Sequence, residues 1–350
     1  MSDRQEHPEI LPLGNVEKQY LLPGDLAQVG TEANRAAARF RFVDYQQRRA
    51  SETLRRQQAE LTLFSNFLHE QLNLQIDNLF TDPQAWIGIT WGLVEAFIKW
   101  QLQLGYAVSS INVHLSTLKT YARLAMQAGT ITSQEYALIR ALQGYSRKEQ
   151  RRIDNRRPKQ RIGLKKAVPV GLTAEQAKAL KVQPDTPQGR RDALMMCLLL
   201  DHGLRVGELA AIVSEEIDLK AGILHFYRPK VGKEQKHKLS HDSLHALLAY
   251  KNFNDMPSQG PLLRSSLKDN SLTKSGMSER AITQRVKYLG EVIGITGLSA
   301  HDCRHYWATT AAKHGTDPFS LQEAGGWSSL AMPRRYIEDN EISNEDVKLE

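Results

Sequence analysis

Five polar residues in the second half of this 350-residue chain have types and spacings that could do chemistry. Arg205 lies in Gly203-Leu-Arg-Val-Gly-Glu-Leu, where a helix is expected to start directly after an apolar helix. A basic residue there opposes the helix dipole, which favours acids at an N-terminus. Glu208, three residues on, shares a helical face with Arg205 and can orient its guanidinium. His301 and Arg304 are spaced i, i+3 in Ala300-His-Asp-Cys-Arg-His-Tyr-Trp, again near a helix start. Tyr336 follows Trp327 by nine residues. A guanidinium is permanently charged and donates two parallel hydrogen bonds, so a pair of arginines suits the oxygens of a phosphate. Each group alone also has an ordinary reading: Arg205 and the His301–Arg304 pair as surface residues, Tyr336 as a half-buried core tyrosine. His305 is expected to pack or to bond the backbone.

The elements that must position these residues are mostly helical. The periodicity predicts helices over 174–182 and 187–202, the latter stopped by Gly203, and a short one from Arg205. Thr173 and Gln176 read as a capping box. Short strand-like runs follow at 217–219, 223–227 and 236–239, with a Lys- and Gly-bearing turn at Lys230 to Lys233. Further helices are expected at 242–251, 279–293, 302–313, 318–324 and 329–339. Upstream, 35–146 is a helical bundle, with apolar spacing over Arg49–Leu72, Trp91–Leu104 and Ser110–Gln127 and a capping box at Thr132 and Glu135. The fold class expected is mainly α with a small antiparallel β-sheet. Residues 1–34 show no clear period and read as a flexible arm.

Charge marks the join between the two halves. The chain carries a formal +7, and residues 147–166 alone hold ten Lys or Arg against Glu149 and Asp154. A concentrated basic stretch in an otherwise near-neutral chain points to phosphate contact; a solvated linker is the plainer alternative. Pro158 and Pro169 discourage regular structure, so 147–172 is expected to be an interdomain linker. The last stretch, 337–350, is acidic, with six Asp or Glu and one Lys. Apolar residues make up 41% of the chain and charged ones 24%, ordinary for a soluble globular protein. The polar N-terminus carries no signal-peptide pattern, and the longest apolar run, Ala193–Leu200, is too short to span a bilayer. Cys197 and Cys303 cannot make a disulfide framework and have no zinc-ligand partners at short spacing, so a reducing cytoplasmic setting is expected.

From Leu194 to Ile337 the chain resembles the catalytic domain of the tyrosine recombinases, or phage integrase family. That family shows an Arg in a Gly-Leu-Arg-x-x-Glu-Leu stretch, a Lys in a β-hairpin, a His-x-x-Arg, a His or Trp, and a Tyr nine residues later. Here these positions are Arg205, Lys230, His301, Arg304, Trp327 and Tyr336, in the family's order. Position 327 is Trp where most members carry His, and Cys303 replaces the more usual Leu; Cys303 is expected to be a small buried residue. The resemblance implies a helical core-binding domain (35–146) and an α/β catalytic domain (173–336), with the acidic tail (337–350) docking on a neighbouring protomer.

The activity it implies is site-specific DNA strand cleavage and rejoining through a 3′-phosphotyrosyl bond on Tyr336, with no cofactor and no metal. Arg205 and Arg304 would clamp the phosphate and Lys230 would protonate the leaving oxygen. His301 would contact the phosphate or manage the tyrosine proton, Trp327 would pack and donate its indole N–H, and Glu208 would support Arg205. The partners implied are double-stranded DNA at a site with inverted repeats and a homotetramer on two such sites, with no membrane. Arg147, Lys148, Arg151, Arg152, Arg156, Arg157, Lys159 and Arg161 are the expected phosphate contacts of the linker. The alternatives are an inactive recombinase-like DNA-binding protein, a type IB topoisomerase or a telomere resolvase.

Overall fold

The computed structural model describes residues 23–156 and 170–338. It divides into two compact units, one within residues up to 165 and one from 166 onward.

The first unit is helical: α1 (Pro23–Arg39), α2 (Arg41–Gln47), α3 (Ser51–Leu72), α4 (Trp91–Gln103), α5 (Val108–Gln127), α6 (Ser133–Ala141) and α7 (Arg147–Arg156). Its core is aromatic. Phe64, Phe67 and Phe97 pack with centroids 5.1–6.1 Å apart, and Trp86 and Phe42 close on Tyr121. The Thr132 hydroxyl accepts the Glu135 N–H at 3.1 Å and caps α6, but the expected box does not close: the Glu135 carboxylate accepts from the Trp91 N–H at 2.5 Å instead.

Two segments differ from expectation. Residues 23–34, expected to belong to a flexible arm, form a helix that continues to Arg39. The segment is rich in alanine, a strong helix former, but Leu26 and Val29 are exposed, so no buried stripe betrays it. The first ten residues of the basic stretch also form a helix, α7. Glu149 accepts from the Ser146 backbone N–H at 2.7 Å and from its hydroxyl at 2.6 Å, a start signal that the charge run concealed. The expected contacts Arg157, Lys159 and Arg161 lie outside the described residues, as do residues 1–22 of the arm and the acidic tail from 339.

The second unit is built around α9 (Pro187–His202), which follows α8 (Ala174–Lys181). Thr173 and Gln176 form the capping box that starts α8. Residues 194–200 of α9 are all buried, the mark of a helix enclosed on every side. Around it lie α10 (Val206–Ala211), α11 (His241–Asn252), α12 (Glu279–Val292), α13 (Ala300–Lys313), α14 (Pro318–Gly325) and α15 (Ala331–Glu338). Cys303, on α13, is fully buried as a small apolar residue.

The sheet is antiparallel in the order β1 (Ile217–Asp218), β2 (Ile223–Arg228), β3 (Lys233–Lys238). The strand β3 begins three residues earlier than expected. Its inward residues are Gln235 and the half-buried His237, so apolar alternation does not reveal it. A second hairpin, β4 (Arg264–Ser266) with β5 (Leu272–Gly276), was not foreseen. It is polar and held by Arg264, which donates to the carbonyls of Leu272 and Thr273. Among the described residues no helix is long and apolar enough to cross a membrane.

Candidate active site

The site forms where α9 ends. Gly203 caps the helix at φ +59°, and a Cβ there would lie 2.3 Å from the Trp307 ring, so glycine alone fits both the turn and the space. The turn delivers Arg205 as the N-cap of α10, in extended conformation. Glu208, in the first turn, accepts the Arg205 backbone N–H at 2.9 Å and its guanidinium at 2.6 Å. The acid that the dipole favours is therefore present, and the arginine is held beside it rather than on the helix axis. Arg205 is half-buried, and its second terminal nitrogen donates to Gly326 O at 3.0 Å.

Arg304, on α13, is 4% exposed. It donates to Gly203 O and, at 2.5 Å, to Gly325 O. Burial, reinforced by the charges of Arg205 and Arg228, presses its pKa down to about 9, which leaves the guanidinium charged at neutral pH. A third arginine joins it. Arg228, at the end of β2, is fully buried and donates to Glu208 at 2.8 Å, to Ala324 O at 2.7 Å, to Gly325 O at 3.3 Å and to Gln235. The last carbonyls of α14, which have no partner inside the helix, are thus occupied by guanidinium groups at the negative end of the dipole. Three guanidiniums gather around one buried carboxylate, a centre that favours an anion.

Trp327 follows directly. The Arg304 guanidinium lies 4.6 Å from its ring centroid, and Trp307 packs at 6.1 Å. Tyr336, on α15, is 3% exposed. Its ring lies 5.8 Å from Trp327 and meets His305 edge-to-face at 5.0 Å.

Arg205, Glu208, Arg304, Trp327 and Tyr336 therefore come together. Lys230 and His301 are less tied. Lys230 sits on the tip of the β2–β3 hairpin, two residues after Arg228, exposed and with no hydrogen bond or ion pair among the described residues. Lys233, by contrast, is paired with Glu323. His301 is exposed in the first turn of α13, three residues before Arg304, and likewise bonds none of the described residues. On α7, Lys148, Arg151, Arg152 and Arg156 are exposed.

One participant, Arg228, escaped the sequence reading. His305, expected to pack or to bond the backbone, packs against the tyrosine itself. Arg228 stands in register with Leu224 and Phe226 on the inward face of β2, and an arginine at an inward strand position is the signal that was available.

Comparison with known proteins follows the same lines. Residues 171–342 match the phage integrase family. The chain is 27% identical over 245 residues to tyrosine recombinase XerD of Pseudomonas aeruginosa, covering 68% of this chain and 74% of that one. To tyrosine recombinase XerA of Thermococcus onnurineus it is 26% identical over 233 residues, covering 66% and 71%. Among solved structures it resembles a lambda integrase dimer bound to a COC′ core site, with TM-score 0.58, 17% identity, and 89% and 97% of the two chains covered. It also resembles a lambda integrase tetramer bound to a Holliday junction, with TM-score 0.55, 17% identity, and coverage of 90% and 84%. At such identity the two structures attest the fold.

Proposed function

The chain belongs to the phage integrase family and is a site-specific tyrosine recombinase, and we propose that Tyr336 is its nucleophile, served by Arg205, Lys230, His301, Arg304 and Trp327. The observation that carries this reading is the convergence of Arg205 and Arg304 on the carbonyls of Gly325 and Gly326, with Trp327 and Tyr336 packed alongside.

The Tyr336 oxygen attacks a scissile phosphodiester, forms a 3′-phosphotyrosyl bond and releases a 5′-hydroxyl. A 5′-hydroxyl from another strand then attacks that bond, by way of a Holliday junction, and frees the tyrosine. Each step exchanges one phosphoester for another, so no external energy is required. The phosphorane between them bears extra negative charge on its non-bridging oxygens. Arg205 and Arg304 neutralise it, and because both are held in place beforehand they do so without reorganisation. Lys230 protonates the leaving 5′-oxygen, His301 contacts the phosphate or manages the tyrosine proton, and Trp327 packs on Tyr336 and offers its indole N–H. Glu208 keeps Arg205 aimed.

The partner is double-stranded DNA at a site with inverted repeats, bound by four copies of the chain on two sites. The lambda integrase tetramer on a Holliday junction lends support to that assembly. The helical bundle of the first unit serves as the core-binding domain, and the acidic tail docks on a neighbouring protomer. The basic stretch that includes α7 lies along phosphates. Its exposed Arg151, Arg152 and Arg156 support this, and neutralising them should weaken binding to all sequences alike. The log–log salt slope should flatten by roughly 0.9 per lost phosphate contact, and an unchanged slope would make the stretch a spacer.

The central test is a nicked recombination site that traps the covalent complex. Wild type should form the adduct. Tyr336→Phe should form none while binding the site nearly as tightly, because only the attacking oxygen is removed. An adduct that survives in Tyr336→Phe would require another nucleophile.

A further inference from the structure

We propose that Arg228 is a positioning residue for the strand-transfer reaction: it holds in place the groups that aim both phosphate-binding arginines, without touching the phosphate itself. The proposal rests on the reading of Arg205 and Arg304 as the phosphate clamp.

The first support is burial. Arg228 is fully enclosed at the inward end of β2, its guanidinium beside the Phe226 ring at 4.8 Å, where no substrate oxygen can reach it. The second is the use of its donors. The side chain spends its N–H groups on Gln235, Glu208, Ala324 O and Gly325 O, which leaves little to offer a ligand.

The third is what those acceptors do. One oxygen of Glu208 takes Arg228 at 2.8 Å and the Arg205 backbone N–H at 2.9 Å; the other holds the Arg205 guanidinium at 2.6 Å. Gly325 O, which Arg228 grips from one side, also accepts from Arg304, and the next carbonyl, Gly326 O, accepts from Arg205. One buried guanidinium therefore braces both the carboxylate and the helix end that orient the clamp. The fit is close enough to exclude a side chain at 326, since a Cβ there would sit 2.4 Å from Arg228 Cδ.

Arg228 also alters the charge of the clamp. Glu208 facing Arg205 alone would neutralise it. Shared between Arg205 and Arg228, the carboxylate leaves Arg205 with positive charge to give to the phosphate. A buried carboxylate shared in this way keeps geometry and charge together in a low-dielectric site.

The test compares single-turnover cleavage of a nicked site at saturating protein with affinity for the intact site. Arg228→Met should slow cleavage by roughly 10²-fold, the scale of losing one preorganised donor, with affinity within about 3-fold of wild type. Arg228→Lys, which restores the charge but not the fork, should recover about 10-fold of that loss. Because Arg228 acts through Arg205 as well as Arg304, the double variant Arg205→Ala, Arg228→Met should lose clearly less than the product of the two single losses. A merely structural role would instead lower affinity and thermal stability and multiply with the Arg205 loss. Arg228→Met cleaving at the wild-type rate, or losses that multiply, would overturn the proposal. Should Arg228→Met fail to fold, Arg228→Lys decides alone: about 10-fold slower cleavage at unchanged affinity supports the role, and the wild-type rate refutes it. A wild-type chain that forms no adduct overturns the clamp reading and this proposal with it; a normal wild-type adduct beside an unaffected Arg228 variant overturns this proposal only.

Discussion

Arg304 and Lys230 stand at opposite extremes of one site. Arg304 is 4% exposed, bonded to two backbone carbonyls and stacked over Trp327. Lys230 is exposed on a hairpin tip and bonded to none of the described residues. Arg205 and Tyr336 fall with the first, His301 with the second. The difference follows the work proposed for each group. A charge that stabilises a transition state acts best when fixed in advance, because no reorganisation is then needed at the moment of reaction. A group that delivers a proton must meet its particular oxygen, and that oxygen arrives with the DNA.

The largest effect expected from the exposed half is at Lys230. Lys230→Ala should lose roughly 10²–10⁴-fold in cleavage, the range of general acid catalysis. A substrate with sulfur at the 5′-bridging position should restore it, because a thiolate leaves without a proton, and should help wild type little. Lys233, already paired with Glu323, should tolerate alanine with only weaker DNA binding. If the sulfur substrate rescues Lys233→Ala instead, the two lysines exchange roles; if it rescues neither, the lysine acts through its charge and the contrast between fixed and mobile halves loses its chemical basis.

Trp327 tests the assembled half at smaller scale. Trp327→His keeps a flat ring with an N–H and should retain most activity. Trp327→Ala removes the surface between Arg304 and Tyr336 and should lose cleavage by at least about 10-fold, in line with one lost aromatic contact and one lost donor. Equal rates for Ala and Trp would show that the packing around Tyr336 does not depend on this ring.

A further effect is expected on stability against pH. His237, on β3, contacts the Ala324 backbone and lies 5.7 Å from the His202 ring. Burial holds His202 at about 4, Asp201 pulling it upward and Lys181 downward. Burial, with the nearby His202 and Arg228, holds His237 at about 3. Both folded values lie below the ordinary 6.5, so the unfolded chain takes up protons first as pH falls. Stability is therefore full above pH 6.5 and is lost as pH drops toward 4, by up to about 1.4 kcal/mol per pH unit for each histidine. His237→Leu should flatten the fall in melting temperature between pH 7 and 4.5. An unchanged slope would place the acid sensitivity outside the helix end that anchors the arginines.

The spacing of Arg205, Glu208, His301, Arg304, Trp327 and Tyr336 could be read along the chain because each occupies a short motif, and local motifs survive without knowledge of the fold. The helices that hold them were legible for a similar reason: Thr132 and Thr173 supply local caps, and apolar periodicity marks buried faces. The helices α1 and α7 were not, because neither carries a pronounced buried stripe. The hairpin β4–β5 was hidden by its polar residues, which pair through the backbone and through Arg264.

What the sequence determined by itself was the order of chemical groups, the mainly helical character with its small sheet, and the family that follows from them. What only the tertiary structure decided was which groups are fixed and which are free. Nothing local tells that Arg228 reaches from β2 to the end of α14, 96 residues away in sequence, or that Gly325 O serves two arginines at once. Such a contact depends on how α9, α13, α14 and β2 converge. That convergence is set by the burial of many residues together, a sum over the whole unit that no single stretch of chain contains.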